Sequence, residues 1–268
     1  MKISDHGKRH IALFDTHIPK NRDLKPVLDF ASKGVDHFIL GGDIFNLEWA
    51  SHWNERFFKD LGRMKLRQML YQELDAAQPI LKDIRKAVGK KCQIHYIPGN
   101  HESWLWYACF YHRLVEVPWD LSSITFKSDV SQLLNKGLGE LLGRLIDSKK
   151  HNINVLDYND PLKIGKITYL HGHQFGSQRP TAASVKLYPG SSLVFGHHHK
   201  HEVTPTYNQG DSRKCYEHIA VPCMTGLAPG YLKNRSTTWM NGFYVADFLK
   251  NGMFDGRVKK VLDGRTVP

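Results

Sequence analysis

Five short segments hold most of the residues able to bind a cation or move a proton: Asp15-x-His17, Gly42-Asp43, Gly99-Asn100-His101-Glu102, His171-Gly172-His173 and Gly196-His197-x-His199. Imidazole nitrogen, carboxylate oxygen and carboxamide oxygen form a mixed donor set suited to Mn²⁺, Fe²⁺ or Zn²⁺. Neutral imidazoles bind without adding negative charge, so a site rich in them still admits a phosphate. Each segment has an ordinary reading on its own: a turn, a helix cap, a helix start, or an adventitious histidine cluster. Their shared position argues for a common purpose. Every one follows a short apolar run, where a buried strand opens into a loop. Sixteen histidines is itself unusual for a chain of 268 residues.

The elements that must position these segments follow from the apolar pattern. Residues 10–14 read as a strand stopping at Asp15, and residues 21–33 as a helix with Leu24, Val27, Leu28 and Phe30 on its inner face. Residues 38–40 form a second strand, which ends in Gly41-Gly42-Asp43. From Phe57 to Val88 the pattern is helical: Leu66, Leu70, Leu74, Ala77, Leu81, Ile84 and Val88 recur every three or four positions. Pro79 marks a kink or break there, giving a helical pair. Residues 94–97 are a strand closing on Pro98-Gly99-Asn100.

A second, mostly helical stretch over residues 103–150 holds an aromatic cluster (Trp104, Trp106, Tyr107, Phe110, Tyr111) and a leucine-rich run (Leu133, Leu134, Leu138, Leu141, Leu142, Leu145). Strands are expected afterwards at 154–156, 167–170, 193–195, 219–222, 242–248 and 258–261, with turns at Asn251-Gly252 and Asp263-Gly264. Strands alternating with helices imply an α/β fold, and such sheets bind ligands beyond their strand ends. No repeat or linker divides the chain. Residues 1–268 are expected to form one domain with helical insertions at about 50–90 and 103–150.

Lys and Arg outnumber Asp and Glu by 37 to 26, a formal charge of +11, which suits a polyanionic partner. Basic groups at Arg63-Lys65-Arg67, Lys82-Arg85-Lys86, Lys90-Lys91 and Lys149-Lys150 are candidates for phosphate contact or for a solvated helix face. Trp104, Trp106, Tyr107 and Arg113 are candidates to stack on a base or sugar, or to form the insertion's own core. The four cysteines form no CxxC pair. The N-terminal stretch lacks the apolar core of a signal peptide, and no run reaches the ~18 residues that span a bilayer. A cytoplasmic protein with free thiols and no transmembrane segment is therefore expected.

The ordered blocks Asp-x-His, Gly-Asp, Gly-Asn-His-Glu, His and Gly-His-x-His resemble the signature of the calcineurin-like metallophosphoesterases. The resemblance runs from about Ile11 to His199 with every block intact, and Trp239-x-x-Gly242-Phe243 is similar to the family's closing strands. It implies a four-layer α/β/β/α sandwich with two divalent metal ions at one end of its sheets, Mn²⁺ first, with Fe²⁺ or Zn²⁺ as alternatives. Carried over by motif, Asp15, His17 and His199 bind the first metal, Asp43 bridges both, and Asn100, His171 and His197 bind the second. His101 faces substrate and assists the leaving group, Glu102 orients its loop, and His173 stands near the substrate mouth. Either His171 or His173 has the chemistry to be the ligand, and the family pattern selects His171. His198 is the variable position and His201 lies beyond the motif.

This reading is a hydrolase of phosphate esters, with a phosphodiesterase acting on nucleic acid or nucleotides (a nuclease among them) favoured. The alternatives are a phosphomonoesterase acting on phosphoprotein or a small metabolite, and a non-catalytic scaffold on the same fold. The scaffold predicts eroded metal ligands, which this sequence does not have.

Overall fold

The computed structural model describes residues 1–51, 61–112, 114, 127–208, 211–228 and 236–267. Two sheets dominate it. The six-stranded sheet has the order β1 (Lys2–Ile3), β6 (Leu162–Ile164), β7 (Ile167–Leu170), β8 (Ser192–Phe195), β10 (Asp211–Ala220), β9 (Glu202–Asn208). The seven-stranded sheet is centred on parallel β2 (Arg9–Leu13), β3 (His37–Leu40), β4 (Gln93–Tyr96) and β5 (Ile153–Val155). Beyond β2 it continues through antiparallel β11 (Gly242–Phe248), β12 (Phe254–Leu262) and β13 (Arg265–Val267). The central strands carry apolar residues on both faces, because both are covered, with His10, His37 and His95 as buried exceptions.

Successive residues on a strand point to opposite faces, and that alternation divides the core. Ile11, Leu13, Phe38, Leu40, Ile94 and Tyr96 join one cluster with the helices α1 (Lys25–Ala31), α2 (Arg63–Val88), α3 (Asn100–His112) and α4 (Lys127–Leu145). Ala12, Phe14, Ile39 and Ile97 face the other way. There they meet Leu162, Ile164, Ile167, Tyr169, Val194 and Ile219 of the six-stranded sheet. The far side of that sheet, at Leu170, Leu193, Phe195 and Ala220, is packed by Phe175, Ala183 and Tyr188, around α6 (Pro180–Leu187). Phe14, Phe38 and Phe195 are fully buried. Each such side chain contributes roughly 1.5–3 kcal/mol relative to exposure. The short α5 (Ser148–His151) leads into β5.

Several elements depart from the sequence pattern. The expected helical pair is one continuous helix, α2, with Pro79 inside it. Leu74 and Ala77 before the proline and Leu81 and Ile84 after it pack into one core, while Pro79 itself is exposed. Tertiary packing therefore carries the helix across the missing hydrogen bond. Asn100, His101 and Glu102 are the first turn of α3 rather than a preceding loop. Strands β1 and β6 are too short to show a period, and α6 shows no clear stripe. The hairpin turns at Asn251-Gly252 and Asp263-Gly264 join β11 to β12 and β12 to β13. Residues 52–60, including Phe57, and Arg113 lie outside the described residues, as do the side chains of Phe110, Tyr111, Leu133 and Leu134.

Among the described residues, no helix is long and apolar enough to cross a membrane. Arg85 is committed to the fold: its guanidinium donates to the carbonyls of Gly89, Cys92, His151 and Asn152 at 2.7–2.8 Å. It is thus not available to a phosphate, whereas Arg63, Lys65, Arg67, Lys82, Lys86, Lys90, Lys91, Lys149 and Lys150 are exposed. Cys92, Cys109, Cys215 and Cys223 are free thiols.

Candidate metal centre

All five segments meet at one end of the two sheets, because each follows a strand whose C-terminal end points there. Asp15 follows β2, Asp43 follows β3, and Asn100 and His101 follow β4. On the other sheet, His171 follows β7 and His197 follows β8. Backbone hydrogen bonds tie the loops together: Asp15 N to Gly42 O at 3.1 Å, and His17 N to Asp43 O at 3.0 Å. Five of the seven expected ligands, Asp15, His17, Asp43, His197 and His199, have φ between 47° and 69°. Non-glycine residues seldom adopt this left-handed conformation, and its concentration here marks a strained, over-determined site.

Both carboxylates are divided in function. Asp15 Oδ2 accepts the His197 amide at 2.7 Å, while Asp15 Oδ1 is buried with no hydrogen-bond partner. That free oxygen lies 3.6 Å from His199 Nε2, which in turn lies 3.4 Å from His17 Nε2. Asp43 Oδ1 accepts the His101 amide at 2.9 Å, and Oδ2 faces His171 Nε2 at 3.2 Å and His101 Nε2 at 3.7 Å. Close approach makes glycine necessary beside both acids. A Cβ on Gly99 would sit 2.2 Å from Asp43 Oδ1, and one on Gly196 would sit 2.5 Å from Asp15 Oδ2.

The tautomers show why a cation fits. His171 Nδ1–H donates to Gly41 O at 3.0 Å. Its Nε2 lone pair then points at two further acceptors, Asp43 Oδ2 at 3.2 Å and Asn100 Oδ1 at 3.0 Å. Three acceptor atoms converging without a donor need a proton or a metal ion between them. Burial opposes charge on His171, but the adjacent Asp43 outweighs it and lifts the imidazole pKa to about 9. Burial would also raise Asp43, yet the imidazoles of His101 and His171 hold its carboxyl well below the usual range. His197 goes the other way: burial and then His171 bring it down to about 2, against the opposing pull of Asp43.

Three groups of side chains have ligand atoms within 4.8 Å of one another: Asp15, His17 and His199; His17, Asp43 and His101; Asp43, His171 and His197. His17 links the first group to the second, and Asp43 links the second to the third. Asn100 joins the last through its Oδ1 contact with His171. The arrangement fits divalent cations, since it presents an unpartnered carboxylate oxygen and opposed imidazole lone pairs in a buried setting.

Glu102 is fully buried and accepts from the amides of Asp43, Ile44, Phe45 and Gly99 and from the Tyr96 hydroxyl, at 2.7–3.2 Å. Burial and the nearby Asp43 push its pKa up, but every group reaching it is a donor, which suits the carboxylate. It thereby locks the Asp43 loop to the start of α3.

The remaining histidines are set apart. His173 stacks on Tyr158 at 5.4 Å, with its Nε2 3.3 Å from the Tyr158 hydroxyl, and its ring is 5.9 Å from that of His171. His198 packs against His197 and Phe195, and His201 is exposed. Two tryptophans flank the centre, Trp104 on His101 at 4.0 Å and Trp239 on His199 at 4.1 Å. Trp106 is instead buried in the core.

One residue escaped the sequence pattern: Asn46, whose carbonyl accepts from His101 Nδ1. A main-chain acceptor leaves no trace in residue type.

No protein-family model matches the chain, and no curated protein matches it. Among solved structures, that of Chaetomium thermophilum Vps29 aligns with a TM-score of 0.37 and 12% identity, over 95% of this chain and 97% of that chain. Agreement at that level carries no argument about what this chain does.

Proposed function

We propose that the chain is a dinuclear metallophosphoesterase, a phosphodiesterase whose substrates are nucleic acids or nucleotides. The observation that carries this reading is a chain of three carboxylate–imidazole groups, joined through His17 and Asp43, with His101 in the middle one. Asp15, His17 and His199 would hold one ion, Asn100, His171 and His197 the other, and Asp43 would touch both. Bound there, two divalent ions, Mn²⁺ or alternatively Fe²⁺ or Zn²⁺, supply the Lewis acidity that polarises a phosphoryl group and activates water.

The chain's own residues do the rest. His101 Nδ1–H is held by Asn46 O, so Nε2 is the atom turned toward the centre, 3.7 Å from Asp43 Oδ2. A proton carried on Nε2 is delivered to the departing ester oxygen, a task suited to an imidazole near neutral pH. His173 lines the edge of the site without ligating. The packing order of helices, sheet, sheet and helix supports a four-layer sandwich, and the sharing of β2 and β3 by two core clusters supports a single domain. The charge of +11 and the exposed basic residues of α2 support a polyanionic substrate.

Turnover of bis-p-nitrophenyl phosphate against p-nitrophenyl phosphate, with Mn²⁺ restored to chelator-treated protein and Asp43→Ala as control, tests the proposal. Preference for the diester that is lost in the control is expected. Preference for the monoester overturns the diester assignment, and inactivity on both with metal bound overturns the catalytic one.

A further inference from the structure

Besides Glu102, one buried acid among the described residues belongs to none of the ligand groups. Glu73 lies on α2 and is 7% exposed. It occupies the apolar stripe of that helix, between Leu70 and Ala77, where an aliphatic residue would satisfy packing at no electrostatic cost. An acid on a core stripe is the sequence signal for it. Burial pushes its pKa up to about 7, and its hydrogen bonds to Leu47 and Trp49 oppose that rise. Both carboxylate oxygens meet donors: Oε2 accepts from Leu47 N at 2.9 Å and Oε1 from Trp49 Nε1–H at 3.0 Å.

The Leu47 amide and the Asn46 carbonyl belong to one peptide group. Glu73 takes its N–H, and His101 Nδ1–H donates to its C=O. A carboxylate on the N–H side polarises the amide and makes its carbonyl a stronger acceptor. The peptide is also held in a demanding geometry: Leu47 has φ 41° and is completely buried. Asn46 N donates to Ile18 O at 2.9 Å, which fixes the residue before the strained one.

We propose that Glu73 is a positioning residue for His101, acting through the single peptide group between Asn46 and Leu47. The arrangement is a carboxylate–imidazole pair with one amide interposed. It gives the inserted helix α2 a part in the chemistry, and it rests on the reading of His101 as proton donor to the leaving group.

The test compares a good leaving group with a poor one, using bis-p-nitrophenyl phosphate and a dinucleoside monophosphate in the Mn²⁺-loaded enzyme. His101→Ala should lose far more kcat on the dinucleotide than on the nitrophenyl ester. Glu73→Gln should repeat that selectivity at a smaller amplitude, roughly 10- to 100-fold on the dinucleotide and under about threefold on the nitrophenyl ester. KM and Mn²⁺ affinity should not change. In the His101→Ala background the Glu73→Gln effect should vanish. Trp49→Phe breaks the other Glu73 contact and should leave the selectivity intact, which separates positioning from loss of packing. Independently of turnover, the His101 Nδ1–H proton resonance should move upfield in Glu73→Gln and not in Trp49→Phe, as its hydrogen bond weakens.

Selective loss in His101→Ala without selective loss in Glu73→Gln overturns the positioning role alone. Equal losses on both substrates, or an additive double variant, do the same. Absence of selectivity in His101→Ala overturns the proton-donor reading and this inference with it.

Discussion

The space between the two sheets holds two clusters of buried histidine, and they behave in opposite ways. At the C-terminal strand ends, His17, His171, His197 and His199 stand with Asp15 and Asp43, in loops of left-handed backbone, with lone pairs turned on one another. Within the same strands, on the same face, His10, His37 and His95 sit in regular β-structure with their nitrogens paired. His10 Nε2–H donates to His6 O at 2.6 Å and its Nδ1 accepts the Tyr169 hydroxyl at 2.8 Å. His37 Nε2–H donates to Asp5 O at 3.1 Å and its Nδ1 accepts from His95 Nε2–H at 3.2 Å. Asn154 Nδ2 then approaches His95 Nδ1 at 3.5 Å. One consistent set of neutral tautomers satisfies this lower cluster, and among the described residues it forms no metal-ligating group. Residue type is the same in both; acid company and backbone conformation separate a candidate cation site from a structural network.

Damage at one end of the sheets should leave the other end untouched. Asp43→Ala should lower kcat/KM on bis-p-nitrophenyl phosphate by upwards of ~10³-fold. It should also abolish the stabilisation that saturating Mn²⁺ confers, about 2.7 kcal/mol per site at a hundred times Kd. His95→Gln should retain both turnover, within about twofold, and the Mn²⁺ increment in urea unfolding. A metal-dependent phenotype in His95→Gln would merge the two clusters.

Gly99→Ala should be intermediate. The added methyl meets Asp43 Oδ1 at 2.2 Å, so Mn²⁺ affinity by calorimetry should weaken roughly 10- to 100-fold. An unchanged affinity would mean that the Asp43 loop yields without disturbing its carboxylate.

The smallest expected effect concerns acid and isolates the lower cluster. Burial, outweighing the His6 carbonyl and Asp36, brings His10 to about 3, and burial followed by His37 brings His95 to about 4. Unfolded, each titrates near 6.5. Between those values the unfolded chain binds more protons, so their contribution is complete above about pH 6.5 and is lost as pH falls. The slope is about 1.4 kcal/mol per pH unit for each imidazole. Urea titrations between pH 6 and 4 should show His10→Gln with a slope shallower by about that amount. An unchanged slope would show that His10 is not held neutral.

The five chemical segments are readable from residue type because a ligand must present a particular atom, and each follows an apolar run long enough to recognise. The strands behind them are readable for the same reason: the apolar runs at residues 11–13 and 38–40 belong to parallel strands covered on both faces. Pro79 misleads because local propensity forbids what the common core of Leu74, Ala77, Leu81 and Ile84 enforces. The start of α3 at Asn100 is open to either reading, since the same residue types suit a ligand loop and a first helical turn.

Read alone, the residue pattern carries the donor set, the order of the segments along the chain and the α/β alternation, because these are properties of residue type and period. It cannot say that His171 Nε2 faces two oxygens, that Asp15 Oδ1 is left without a partner, or that His10, His37 and His95 are spoken for. Nor can it tell that Glu73 and His101 share one peptide group across 28 positions of sequence. Those relations belong to side chains and main-chain groups brought together by two sheets closing on each other. Only that closure decides which of sixteen histidines keeps a free lone pair.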